Sequence, residues 1–289
     1  MTPTGSEPWL VERLRSGRPL LAVELRPPLS TLSLAESREA WIDANHALRR
    51  LAARDTLVFV TDRAVGAREE ENLQHLVSNV GGDADPSRIV PFLTCKHTLD
   101  YCLWYAQRAV QSGFRGLVVL GGDRQDGFPR CVPHAWQLRR EIRGRAPQLA
   151  LGGWANPHRD PGAQLGFLND PQFEADYFLT QVVSHHDLPA VERFLREAEK
   201  TGSDRPAIFG VFYYRSASPR TLAALSSFLP VPREGITADF GAGLTAEQVC
   251  ARTIEGLHAL GVRRFYVSNL PTLEAPRILG RLARLLEER

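Results

Sequence analysis

The feature that most constrains this chain is a recurrence of short apolar runs, each followed by a longer segment of helical periodicity or by a loop leading into one. Eight such runs can be read: LLAVEL, TLVFVT, IVPFLT, GLVVLG, LALGGWA, YFLTQVV, AIFGVFYY and RFYVSN. Between them lie amphipathic segments such as LAESREAWIDANHALRRLAA, LPAVERFLREAEKTG and TAEQVCARTIEGLHALG, several stopped by glycine as helix ends prefer. Near-continuous apolar strands alternating with helices imply a parallel sheet covered on its faces. Eight such units in 289 residues predict an α/β chain folded as a single closed (β/α)8 TIM barrel. A doubly wound open sheet is the runner-up, disfavoured by the strand count and by a missing glycine fingerprint. No internal repeat and no Gly/Ser-rich linker is found, so residues 1–289 are read as one barrel domain. Residues 1–19 form an N-terminal extension with a short helix capped by Ser6.

Composition narrows the function classes. A hydrophobic fraction of 43% supplies a substantial core, and a formal net charge of +2 gives no surface for nucleic acid. Arginine bias is spread along the chain, with Lys96 and Lys200 as its lysines. The cysteines Cys95, Cys102, Cys131 and Cys250 make no C-x-x-C pair, and no signal-peptide core precedes them, so a reduced, cytoplasmic setting is expected. No apolar stretch reaches membrane-span length, so no membrane partner is expected. A homo-oligomer is left open.

In such a barrel the active site lies at the C-terminal ends of the strands. Those ends are strongly polar here: Glu24 and Arg26, then Thr61, Asp62 and Arg63, then Thr94 to His97, with Asp123, Asn156, His158, Gln181, Tyr213 and Ser268 further on. Any strand leaving a core meets water, so much of this is trivial. Glu24 and Gln181 are less so, because each lies within an apolar run where an unpaired polar group costs roughly 1 to 3 kcal/mol. The stretch GLVVLGGDRQDG breaks from five apolar residues into two glycines and Asp123. It is not a dinucleotide-binding turn, since no third glycine follows at the required offset and Pro129 prevents a helix from opening there.

Six motifs in chain order resemble those of the methylenetetrahydrofolate reductases. VELRPP is similar to FEFFPP, VTDRAVG to VTYGA, PFLTC to HLTC, VVLGGD to ALRGD, GGWANPH to AAYPEVH, and LTQ to ITQ. The resemblance implies a (β/α)8 barrel that reduces the methylene group of 5,10-methylenetetrahydrofolate to methyl, through FAD supplied with hydride by NADH or NADPH. It implies catalytic and substrate-binding roles for Glu24, Asp123 and Gln181, and flavin contacts from Thr61, Thr94, Asp123, Trp154 and His158. Asp123 would lie between flavin and pterin. Glu24 would be the general acid that protonates the departing nitrogen, at a position where partial burial raises a carboxyl pKa. Gln181 would hold the pterin edge or the nicotinamide amide.

The departures are specific. Phe92 replaces the family histidine before LTC, Gly121 the arginine of RGD, Trp154 the fifth-strand tyrosine, and Leu270 an arginine used near the substrate. The basic segment that holds the FAD phosphates is replaced by LGFLNDPQFEADYFL. Readings other than this reductase are therefore carried along: a flavin-independent reductase, a barrel that binds a pterin or a protein partner without reduction, and a pterin-dependent methyltransferase. The pair His185 and His186 is not read as a metal site, because adjacent residues in an extended segment point apart. It is read as a loop leading to a helix with Asp187 near its start.

Overall fold

The computed structural model describes residues 9–62, 71–80, 84–122 and 127–287. After α1 (Trp9–Arg15), strands and helices alternate: β1 (Leu20–Leu25), α2 (Leu34–Ala52), β2 (Val58–Val60), α3 (Asn72–Val80), β3 (Ile89–Thr94), α4 (Leu99–Gln111), β4 (Gly116–Leu120) and α5 (Ala135–Arg145). The second half follows with β5 (Ala150–Ala155), α6 (Pro161–Asn169), β6 (Tyr177–Val183), α7 (Leu188–Lys200) and β7 (Ala207–Phe212). The seventh connection is enlarged to three helices, α8 (Pro219–Leu225), α9 (Arg233–Gly241) and α10 (Ala246–Ala259), before β8 (Arg264–Ser268) and α11 (Ala275–Glu287). The strands form one closed parallel barrel in sequence order, with β8 pairing back onto β1. It is a (β/α)8 barrel.

Local chemistry fixes the helix starts. Ser33 accepts from the Glu36 backbone N–H while the Glu36 carboxylate accepts from Ser33, a capping box that opens α2. Thr245 and Gln248 do the same for α10. Pro161 follows the Asp160 cap of α6, where its missing N–H costs nothing. Among the described residues no helix is long and apolar enough to cross a membrane.

The barrel interior follows from the period of two along each strand. On β1 the inward positions are Leu20, Ala22 and Glu24; β3 gives Val90, Phe92 and Thr94, and β6 gives Tyr177, Leu179 and Gln181. The lower positions are buried and apolar. Their floor is α1, whose Leu10, Val11 and Leu14 are buried in the same cluster. The N-terminal extension read from sequence thus includes a plug that closes the N-terminal end of the barrel. Ser6, expected to cap its helix, lies outside the described residues. The other apolar face of the strands packs against the helices in a separate, larger core.

Candidate active site at the barrel mouth

The uppermost inward positions open on one cavity of about 390 Å³. Glu24, Thr61, Thr94, Trp154 and Gln181 all line it, as do Asp62 and Ser268. Arg26 and Asn269 line it too, and an apolar part of the wall comes from Phe92 and Phe212 on the strands and from Leu225, Phe228 and Leu229 of α8 and the turn after it. A flat, partly apolar ring with polar edges is the kind of ligand such a wall accepts.

Glu24 is half-buried, and the Ser268 hydroxyl donates to its Oε1 at 2.6 Å across the β1 and β8 seam. Tyr266, one layer below, donates to the Thr180 carbonyl at 2.7 Å. Burial, with the Glu24 carboxyl adding to it, holds the Tyr266 phenol well above its usual pKa, so it remains a neutral donor.

Gln181 sits where the β6 and β7 ladder shifts register between Leu179 and Val182. The Thr180 hydroxyl accepts from the Gly210 N–H at 3.0 Å at this irregularity, and the Gln181 Oε1 accepts from the Val182 N–H at 2.9 Å. A bulge of this kind re-aims a side chain. It commits the amide oxygen and leaves the NH2 group as the donor facing the cavity.

Asp62, read from sequence as one of several polar strand ends and given no role there, joins β2 to β3. Its Oδ2 accepts from the Thr94 N–H at 2.7 Å, from the Thr94 hydroxyl at 2.9 Å and from His97 Nε2 at 2.9 Å. Behind it, the Asn72 side chain donates to the carbonyls of Val60, Thr61 and Phe92, and Tyr105 donates to Asn72 Oδ1 at 2.6 Å. These bonds clasp the ends of β2 and β3 together. The Thr94 hydroxyl is therefore committed to Asp62 as a donor and can only accept from a ligand.

Three expected contacts stand differently. His158 does not line the cavity; its Nε2 donates to the Val182 carbonyl at 3.0 Å. Asp123 lies outside the described residues, although Gly121 and Gly122 just before it line the cavity. Lys96, read as the lysine near the mouth, is 7% exposed, and its Nζ donates to the Phe128 carbonyl at 2.6 Å. Its stem lies against Gly122, where a φ of +74° and a Cβ position only 2.6 Å from Lys96 Cγ leave room for glycine alone. Arg130 donates to the Gly122 carbonyl at 2.6 Å from the other side. The glycine pair is thus enclosed between the Lys96 stem and the Arg130 guanidinium. The cysteines are all free, and burial pushes the Cys95 thiol up to about 12, which removes it as a nucleophile at neutral pH.

No protein-family model and no curated protein matches this chain. Solved structures do. A protein from Clostridium thermocellum, described as binding two copies of 5-methyl-5,6,7,8-tetrahydrofolic acid, superposes with a TM-score of 0.69 at 15% identity, over 94% of this chain and 96% of that one. An F420-dependent secondary alcohol dehydrogenase in complex with an F420-acetone adduct gives a TM-score of 0.55 at 11% identity, covering 93% and 99%. The likeness is one of fold. At such identities it carries the barrel and nothing of its chemistry. A tryptophan synthase from M. tuberculosis, at a TM-score of 0.51 and 14% identity over 96% and 94%, makes the same point.

Proposed function

We propose that this chain is a reduced-folate oxidoreductase that binds 5,10-methylenetetrahydrofolate in the barrel mouth and converts its methylene group to methyl, in the cytoplasm. The observation that carries this reading is Glu24: a carboxyl group on the inner wall of the barrel, held through Oε1 by Ser268, on the same cavity as Trp154 and Gln181. The similar Clostridium thermocellum barrel binds 5-methyltetrahydrofolate, which is the product of this reaction. The six motifs in register support the same substrate.

NADH or NADPH supplies the hydride. Held by Ser268, the Glu24 carboxyl group delivers its proton to the departing nitrogen of the five-membered ring, which leaves an iminium cation on the folate able to accept that hydride. Trp154 offers its face to a flat ring, and the Gln181 NH2 group donates to a ring or amide oxygen at its edge. The apolar wall of Phe212, Phe228 and Leu229 keeps water from the cation. The resemblance places Asp123 beside the pterin.

The described residues fit the ring of FAD better than its diphosphate. Trp154 and Thr61 give the ring a surface, but the cavity-lining cation among the described residues is Arg26, and Lys96 is turned onto the Phe128 carbonyl. No step is therefore routed through a flavin, and direct transfer from the nicotinamide is preferred. FAD, if it binds, binds weakly.

The test follows NADH and NADPH oxidation by colourless protein on adding methylenetetrahydrofolate, with and without FAD. Oxidation without FAD is expected. An obligatory, saturable FAD requirement would restore the flavin route. If no nucleotide is oxidised in either arm, the reductase reading fails and a non-reducing pterin-binding barrel or a methyltransferase takes its place.

A further inference from the structure

Among the described residues, one group of three ligating side chains comes together away from the mouth cavity: His185, His186 and Asp239, with one ligand atom of each lying within 4.8 Å of the others. The sequence expectation that the two imidazoles point apart does not hold. They sit in a turn after β6 rather than in an extended segment, with ring centroids 4.0 Å apart. Both Nε2 atoms lie 2.9 Å from the same carboxylate oxygen, Asp239 Oδ2. Asp239 comes from α9, 53 residues further along the chain.

One ring nitrogen of His185 is held and the other is not. Thr253 Oγ1 lies 3.0 Å from His185 Nδ1 and accepts from the His185 backbone N–H at 3.3 Å, so Nδ1 already has its partner. Nε2 is buried and makes no hydrogen bond, because Asp239 Oδ2 stands at bonding distance but off the direction a ring N–H would take. Nε2 is thus a buried ring nitrogen without a partner, and it lies beside a carboxylate that His186 also reaches. Metal-ligating histidines are likewise held by a partner on one ring nitrogen, here Nδ1 on Thr253, which leaves the other for the ion.

Two further features serve the same point. His186 lies flat on α9, where a Cβ at Gly235 would come within 2.6 Å of three atoms of its ring. Glycine at that position lets the imidazole reach Asp239 one helical turn on. Arg252 Nη1 lies 3.3 Å from Asp239 Oδ1 and so orients the carboxylate by its other oxygen. Asp187 occupies the N-cap of α7 without capping it, and its Oδ2 is buried without a partner close to both imidazoles. Two nitrogens and one carboxylate oxygen make a three-ligand zinc-class set with a fourth position for water. Binding would widen the 2.9 Å contacts to roughly 3.3 Å, the edge of a tetrahedron with bonds of about 2.0 Å.

We propose that His185, His186 and Asp239 bind one divalent ion of the zinc class, and that this ion fastens α9 to the end of β6. The fastening matters to the mouth. Ile236 of α9 packs on Val182, Phe212 and Leu222, and the segment leading into α9 carries Phe228 and Leu229 of the cavity wall. The ion is thus a clamp on the wall and not a participant in proton or hydride transfer.

Untagged, chelator-treated protein is titrated calorimetrically with Zn2+. One saturable site is expected, weakened at least tenfold by His186→Gln and by Asp239→Asn. It should be unchanged by Cys131→Ser, which removes a thiol beside Cys95 at the end of β3, where the Cys131 N–H donates to the Cys95 carbonyl at 2.8 Å. Saturating zinc should raise the thermal midpoint of the parent and slow proteolysis between residues 219 and 241, with neither effect in His186→Gln. His186 is 28% exposed at its side chain, so this variant keeps the test valid even where Asp239→Asn fails to fold. Absence of a saturable site, equal affinity in parent and His186→Gln, or loss of binding in Cys131→Ser alone would overturn the proposal.

Discussion

The two ends of the barrel interior are built from the same strands at the same parity, and they differ in nearly everything else. At the N-terminal end, Leu20, Ala22, Val90 and Tyr177 join Leu10, Val11 and Leu14 of α1 in one buried apolar cluster, with the Tyr177 hydroxyl enclosed in it without a partner. Two to four residues further along, the inward positions are Glu24, Thr94 and Gln181, and they open on a cavity of about 390 Å³. The difference shows how one fold separates its tasks. Closing the lower end with a helix supplies stability, so the upper end can keep carboxyl, hydroxyl and amide groups that contribute little to folding.

The largest effect that sharpens this contrast belongs to the floor. Leu14 is 1% exposed in the plug, and Leu14→Ala should lower stability by about 2 to 5 kcal/mol. Turnover per folded molecule should stay close to the parent, as denaturant melts and activity measured below the transition would show. At the mouth the pattern should invert. Glu24→Gln should lower turnover about a hundredfold, roughly 2.7 kcal/mol in the barrier, with reduced-folate binding and the melting curve almost unchanged. Equal loss of stability in the two variants would break the division.

Asp62 is where the division is least clean, since it lines the mouth yet clasps β2 to β3. Asp62→Asn keeps an acceptor but sets an NH2 group against the Thr94 donors or His97, and should cost on the order of 1 to 3 kcal/mol of stability. A melt that does not move would show that the clasp is dispensable and that Asp62 is held for the ligand instead.

Much of this was legible beforehand because the signals are local. β1, β3 and β6 run over the residues that the apolar periodicity marked, and helices such as α2 and α10 begin at their capping residues. Parity then carries Glu24, Thr61, Thr94, Trp154 and Gln181 to one cavity without further information. What stayed hidden depends on contacts between distant segments. The hydrogen bond from Ser268 to Glu24 spans 244 positions, and the clasp from Asn72 joins strands no local pattern pairs. The apolar wall of Leu225, Phe228 and Leu229 comes from an enlarged seventh connection whose helices α8 and α9 are too short for periodicity to reveal. The turn that brings His185 and His186 face to face was misread as extended for the same reason: Gly235 and Asp239, which receive the rings, lie on another element.

Reduced folate is expected to bind at the mouth, and equilibrium titration with 5-methyltetrahydrofolate tests this most directly. The parent and Leu14→Ala, kept well below its melting temperature, should show the same saturable change in tryptophan fluorescence. Replacing Trp154 or Gln181 by Ala should weaken binding about tenfold, or 1.4 kcal/mol, when followed calorimetrically. Absence of saturation in the parent, or equal affinity in all four proteins, would contradict it.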